Sequence, residues 1–239
     1  MKSNLMASTR NVVKALNGMK YLINRPITEM VGLGLIWGPP GTGKTRFARR
    51  VAIQNQHCYL RLEGNNTPKR FAINLYNMLC TTYNMSPALG RQTTDEIFES
   101  IKTIILDIEE PIIFIDEIDY AFKSRKILDA IRDIVDETHA IIILIGMQSA
   151  KHSLLKSNAH YFDRCNFFVE FKELNPDDTK KVCNEISDIE LEQGVIDYIY
   201  KVSHGTLRKI IKTLYYLEGL AKSKNLKKLT RGDLDAIQS

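Results

Sequence analysis

Gly38-Pro39-Pro40-Gly41-Thr42-Gly43-Lys44-Thr45 decides the fold. Two glycines five positions apart and followed by Lys-Thr form the phosphate-loop pattern. The apolar run Gly34-Leu35-Ile36-Trp37 precedes it and is long enough for a buried strand. Phe47, Ala48 and Val51 follow at helical spacing. Strand, glycine loop and helix in that order give the motif its chemical meaning. A polyphosphate needs many donors and one compact positive charge, and small residues let backbone amides close around it. Lys44 is placed to bridge the outer phosphates of a nucleoside triphosphate, and the Thr45 hydroxyl to hold Mg²⁺.

Working outward, Thr67-Pro68 opens a helix through Phe71, Ala72, Leu75, Met78 and Leu79. Thr93-Thr94-Asp95-Glu96 has capping-box spacing and opens another, which Pro111 stops. Short apolar runs at 58–62, 112–115, 140–145 and 167–171 alternate with these helices. Together with the strand before the phosphate loop they predict an α/β fold with a five-stranded parallel sheet covered on both faces. From Asn175 onward the pattern is helical only. A boundary near Leu174 divides the chain into an α/β nucleotide-binding domain, 1–174, and a small α-helical lid domain, 175–239.

The second chemical signal is Ile112-Ile113-Phe114-Ile115-Asp116-Glu117. An apolar strand ending in two carboxylates places them at the C-terminal edge of the sheet, where the phosphate loop also lies. Asp116 is expected to hold Mg²⁺ through water, and Glu117 to polarise the attacking water. The pair argues for hydrolysis as well as binding.

Composition sets the remaining bounds. The 239 residues carry a net charge of +5, with 44% hydrophobic and 26% charged residues, ordinary for a globular protein. Basic residues crowd the two ends: Glu29 is the sole acid in 1–50 and Glu218 the sole acid in 199–231. The four cysteines are scattered without a Cys-x-x-Cys pair, which reads as reduced thiols and a cytoplasmic location. No apolar stretch is long enough for a signal core or a membrane span.

With both nucleotide motifs in place, the chain resembles the AAA+ ATPases. The block Ile131-Arg132-Asp133-Ile134-Val135-Asp136-Glu137-Thr138, then Ile141–Ile145, then Gly146-Met147-Gln148, is similar to the DNA-transposition ATPases related to bacteriophage Mu B, TniB and TnsC. The resemblance implies that Gln148 senses the terminal phosphate, where the family more often carries Asn or Thr. It implies that Arg164, in Tyr161-Phe162-Asp163-Arg164, is an arginine finger given to a neighbouring subunit. Arg208, in Gly205-Thr206-Leu207-Arg208, matches the lid arginine that reaches the phosphates in cis. If both arginines act so, sites are shared between protomers and the protein works as an ATP-dependent homo-oligomer, a ring or a filament.

The implied activity is an ATPase that binds double-stranded DNA without sequence preference and recruits a transposase. Lys69-Arg70, which begins the helix after the second strand, and the loop Lys123-Ser124-Arg125-Lys126, which follows the Asp-Glu strand, are the basic clusters expected to track phosphates, with solvated surface charge as the alternative. The basic C-terminal run reads as a DNA or transposase contact, or as a solvated lid. Origin-recognition or helicase-loader, secretion-associated and signalling AAA+ proteins are the rival readings.

Overall fold

The computed structural model describes residues 1–2, 5–157 and 163–238, with side chains as far as residue 234. Ser3, Asn4 and the Tyr161-Phe162 that precedes the expected finger lie outside the described residues. The chain divides into two compact units. One comprises Ala15–Gly38 and Lys44–Glu170; the other comprises Met1–Lys14, Pro39–Gly43 and Phe171–Ser239.

The first unit is built on a five-stranded parallel sheet of order β2-β3-β4-β1-β5. The strands are β1 Leu33–Trp37, β2 Cys58–Arg61, β3 Ile112–Asp116, β4 Ile141–Ile145 and β5 Cys165–Glu170. β1, β3 and β4 are buried along their whole length, as near-continuous apolar runs in a parallel sheet must be. The helices joining them are α2 Lys44–Gln54, α3 Pro68–Thr82, α4 Thr94–Leu106, α5 Arg125–Thr138 and α6 Ala150–Ser157, after α1 Arg10–Ile23, which begins in the other unit. Thr67 caps α3 by accepting from the Arg70 amide. Thr93 and Glu96 complete the reciprocal capping box of α4. The inner faces of α3, α4 and α5 bury Phe71, Leu75, Ile101, Ile105, Ile131 and Ile134 with Leu35, Ile115 and Leu144 of the sheet.

A single ring explains one glycine of β1. A Cβ on Gly34 would stand 2.2 Å from the Phe167 ring, so that position of the strand admits only hydrogen. At the other end of the sheet the buried Arg25 donates to the carbonyls of Met30, Leu22 and His139. Burial pushes its guanidinium pKa down, and three backbone acceptors offset that cost.

The second unit packs α7 Pro176–Ile186, α8 Gln193–Ser203, α9 Leu207–Ser223 and α10 Arg231–Gln238 around Val182, Ile186, Ile199, Ile210, Leu214 and Leu217. The expectation of helices alone from Asn175 is corrected here. β6 Glu190–Leu191 and β7 Lys228–Leu229 pair in parallel. Strands of two residues are too short to show alternation in a sequence. The loop expected at Lys123–Lys126 is also corrected: a 3-10 turn spans Ile118–Lys123, and Arg125 and Lys126 lie in the first turn of α5. Among the described residues no helix is long and apolar enough to cross a membrane.

Candidate active site

The phosphate loop takes backbone conformations that bulky residues avoid. Gly38, Gly41 and Gly43 have φ of 145°, 83° and 103°, the positive region that glycine occupies without penalty. Such turns let successive amides face one concavity. Two of these glycines are also pinned by neighbours in their own unit. A Cβ on Gly43 would meet Leu207 at 2.6 Å, and one on Gly41 would meet Thr206 at 3.0 Å and Arg208 at 3.3 Å. The Arg208 amide donates to the Gly41 carbonyl at 3.0 Å, and the Thr42 hydroxyl to the Pro39 carbonyl at 2.9 Å. Arg208, in the first turn of α9, therefore lies directly against the loop.

Lys44 opens α2. Its buried ammonium donates to the Gly38 carbonyl at 2.7 Å, which folds the side chain back over the loop. Next to it the Thr45 hydroxyl donates to Asp116 Oδ2 at 2.8 Å. Thus two residues from motifs 71 positions apart meet at the end of β3.

Asp116 is 2% exposed. Its Oδ2 also accepts from the Tyr59 hydroxyl at 2.6 Å and its Oδ1 from the Glu117 amide at 2.9 Å. All three donors are neutral, and among the described residues no cation lies within ion-pair distance of this carboxylate. A buried carboxylate so arranged has its lone pairs occupied by neutral donors. A hydroxyl and a carboxylate are hard oxygen donors, the set Mg²⁺ prefers. The residues fit that ion.

Tyr59 and Arg61 are the residues sequence reasoning missed. They point to the same side of β2, two apart, and Arg61 stands in register with Asp116. Burial, and then the bond to Asp116, pushes the Tyr59 hydroxyl pKa well up. Arg49 stacks over its ring at 5.1 Å. Arg61 reaches Glu117 at 3.2 Å. Glu117 itself has φ 58° and ψ 42°, a left-handed conformation uncommon outside glycine. What marks Tyr59 and Arg61 is their place at the C-terminal end of a strand beside β3, which the sheet order supplies and local sequence does not.

The other expected site residues fall in varied surroundings. Gln148 is exposed just past β4, and its amide donates to Glu170 at 3.2 Å. The loop before it is held by Asp119, which accepts from the Met147 amide at 2.7 Å. Arg164 forms a two-pronged pair with Asp136, at 3.2 and 3.1 Å. Of the basic clusters, Arg70 pairs with Glu63 at 2.7 Å, Lys69 donates to the Gln92 carbonyl, and Arg125 lies 3.8 Å from Asp129. Lys123 is exposed at the end of the 3-10 turn. Lys69 and Lys126 line an open cleft of about 780 Å³ with Lys102, against Asp95, Glu99, Asp129 and Asp133. Charge there is balanced, not basic.

The family description of the AAA domain matches residues 29–154, just over half of the chain. The chain belongs to the AAA domain family. This AAA protein is 36% identical over 92 residues to the proteasome-activating nucleotidase of Methanosphaerula palustris, covering 38% of this chain and 18% of that protein. It is 31% identical over 91 residues to the 26S proteasome regulatory subunit 7 of Caenorhabditis elegans, covering 38% and 17%. The chain thus covers only 10–18% of the length of the curated relatives it matches.

Among solved structures, the ORC2 protein of Aeropyrum pernix in its ADPNP–ADP complexes has a TM-score of 0.71 at 12% identity, over 95% of this chain and 68% of that one. The ORC1 protein of the same organism in complex with DNA has a TM-score of 0.63 at 14% identity, over 98% and 65%. The RuvB Holliday junction branch migration motor of Thermotoga maritima has 0.57 at 19%, over 93% and 65%. At these identities the likeness is of fold, and it establishes the AAA+ P-loop architecture.

Proposed function

We propose that this AAA protein hydrolyses ATP, assembles with copies of itself on double-stranded DNA, and recruits a transposase there. The observation that carries the ATPase reading is the Thr45–Asp116 contact at 2.8 Å, with Glu117 as the next residue. It brings the residue after the phosphate-loop lysine to the first of two neighbouring carboxylates, which supports the reading.

Bound Mg²⁺–ATP supplies the electrophilic phosphorus and a leaving group whose charge is already partly neutralised. Lys44 would neutralise the outer phosphates, and Thr45 and Asp116 would hold the metal. Glu117 would accept the proton of the attacking water through its carboxylate, once that carboxylate is released from Arg61. Arg208, fixed by its own amide to Gly41, would add positive charge at the loop. Arg164 would serve a neighbouring copy after leaving Asp136, stabilising charge that develops only in the transition state.

The transposition assignment draws on the resemblance of the 131–148 block to that family. Origin recognition is the second reading, and the ORC fold likeness over 95% of the chain is its support. ATP turnover by wild type and the Lys44→Ala and Glu117→Gln variants, with and without duplex DNA, tests the proposal. Wild type should be stimulated by DNA, Lys44→Ala should not bind ATP, and Glu117→Gln should bind ATP, turn over slowly and stay assembled on DNA. Turnover indifferent to DNA would refute the DNA-dependent part, and strand-transfer assays with a transposase separate the two readings.

A further inference from the structure

We propose that the outward face of α9 is a docking surface for duplex DNA. The proposal rests on the reading that DNA is the partner and assigns it to a surface.

The face is defined by the helix period. Lys209, Lys212, Tyr215, Tyr216, Gly219 and Lys222 are all exposed, and at 100° per residue they fall within an arc of about 140°. Ile210, Leu214, Leu217 and Ala221 occupy the opposite side and are buried. Over 17 residues the helix presents this face for about 25 Å.

Charge on the face has one sign. Glu218, the sole acid of the surrounding stretch, is turned inward and 2% exposed, where it accepts from the Asp188 amide at 2.9 Å. Lys222 is matched by Asp188 at 2.8 Å. Among the described residues neither Lys209 nor Lys212 has an ion-pair partner. That contrasts with the cleft at Lys69 and Lys126, where three lysines face four carboxylates.

Tyr215 and Tyr216 are 71% and 61% exposed. Two adjacent large rings left in solvent beside unpaired lysines are amphipathic groups of the kind that pack on sugars and donate to phosphates. Gly219 sits near the middle of the arc. A Cβ there would meet nothing within 4 Å, so the fold itself gives no reason for glycine at a position where alanine favours the helix. An approaching backbone does give one. The α-helix also matches the width of the DNA major groove.

The test uses the full chain and fluorescently labelled duplex DNA across a salt series, with an ATP analogue present. Lys209→Ala/Lys212→Ala should bind more weakly on every sequence. Its slope of log affinity against log salt should fall by about 2, near 0.9 for each phosphate that the variant leaves unneutralised. Tyr215→Ala/Tyr216→Ala should weaken binding roughly tenfold with the slope retained. Gly219→Ala should melt at a higher temperature than wild type yet bind DNA less tightly. That variant keeps the test decisive even if the others fold poorly. Basal ATP turnover should be unchanged in all three. Variants that match wild type in affinity and slope overturn the surface and leave the DNA reading standing. Wild type that binds no DNA overturns both. Preference for single strands, or equal binding to poly-glutamate, overturns the duplex assignment.

Discussion

Tyr59→Phe removes one hydroxyl and should make the protein less stable while making it bind Mg²⁺–nucleotide more tightly. The Tyr59 hydroxyl donates to Asp116 Oδ2 at 2.6 Å. A hydrogen bond to a charged acceptor contributes roughly 1.5–3 kcal/mol. Tyr59 is only half-buried, and Asp116 keeps Thr45 and the Glu117 amide as donors. The lower end of that range, about 1.5 kcal/mol, is therefore the expected loss. With the divalent ion bound, its charge compensates the carboxylate and the missing donor matters less, about 0.5 kcal/mol. The difference of about 1 kcal/mol corresponds to roughly fivefold tighter binding. Denaturant unfolding with and without Mg²⁺ and a non-hydrolysable ATP analogue measures both losses, and calorimetry measures the affinity. Equal losses in the two states, or weaker binding, would refute the idea that a bound ion takes over the work of the Tyr59 donor at Asp116.

Arg61→Ala should leave stability within about 0.5 kcal/mol, because the Arg61–Glu117 pair is exposed; it should raise basal ATP turnover by freeing the carboxylate, and unchanged turnover in a steady-state assay would count against that role of the pair. Arg164→Ala should be inactive alone yet regain activity when mixed with Lys44→Ala, since each supplies what the other lacks; titrating one variant into the other reads this, and no recovery at any ratio would remove the shared site. Stability should decline as pH rises past about 9, where unfolded thiols ionise. Burial holds the folded Cys165 and Cys183 thiols protonated, with pKa values pushed up to about 12, so the folded state keeps protons that the unfolded state has lost. Urea melts between pH 8 and about 11 should follow that decline, and Cys183→Ala should flatten it.

What could be read from the sequence was what local spacing dictates. The glycine spacing of 38–43, the Asp-Glu at the end of an apolar strand and the capping box at Thr93 each follow from a rule that holds within a few residues. The five strands were legible because parallel sheets bury whole apolar runs. Tyr59 was not, because a tyrosine in a strand satisfies β propensity and its hydroxyl declares no partner. Arg25 is one of the many basic residues of 1–50, and only the carbonyls that converge on it explain its burial. The β6–β7 pair joins Leu191 to Leu229, a separation that no local pattern reaches. The second unit gathers Met1–Lys14, Pro39–Gly43 and Phe171–Ser239, three pieces that a linear boundary does not express.

The main-chain bond from Arg208 to Gly41 makes α9 a lever with its short arm in the phosphate loop. A helix behaves as a stiff rod, so a tilt at its first turn is carried along its length instead of being absorbed. Tyr216 and Lys222 would sweep a wider arc than Gly41 itself moves. A shift of the loop on binding a phosphate would in that way reach the outer surface enlarged.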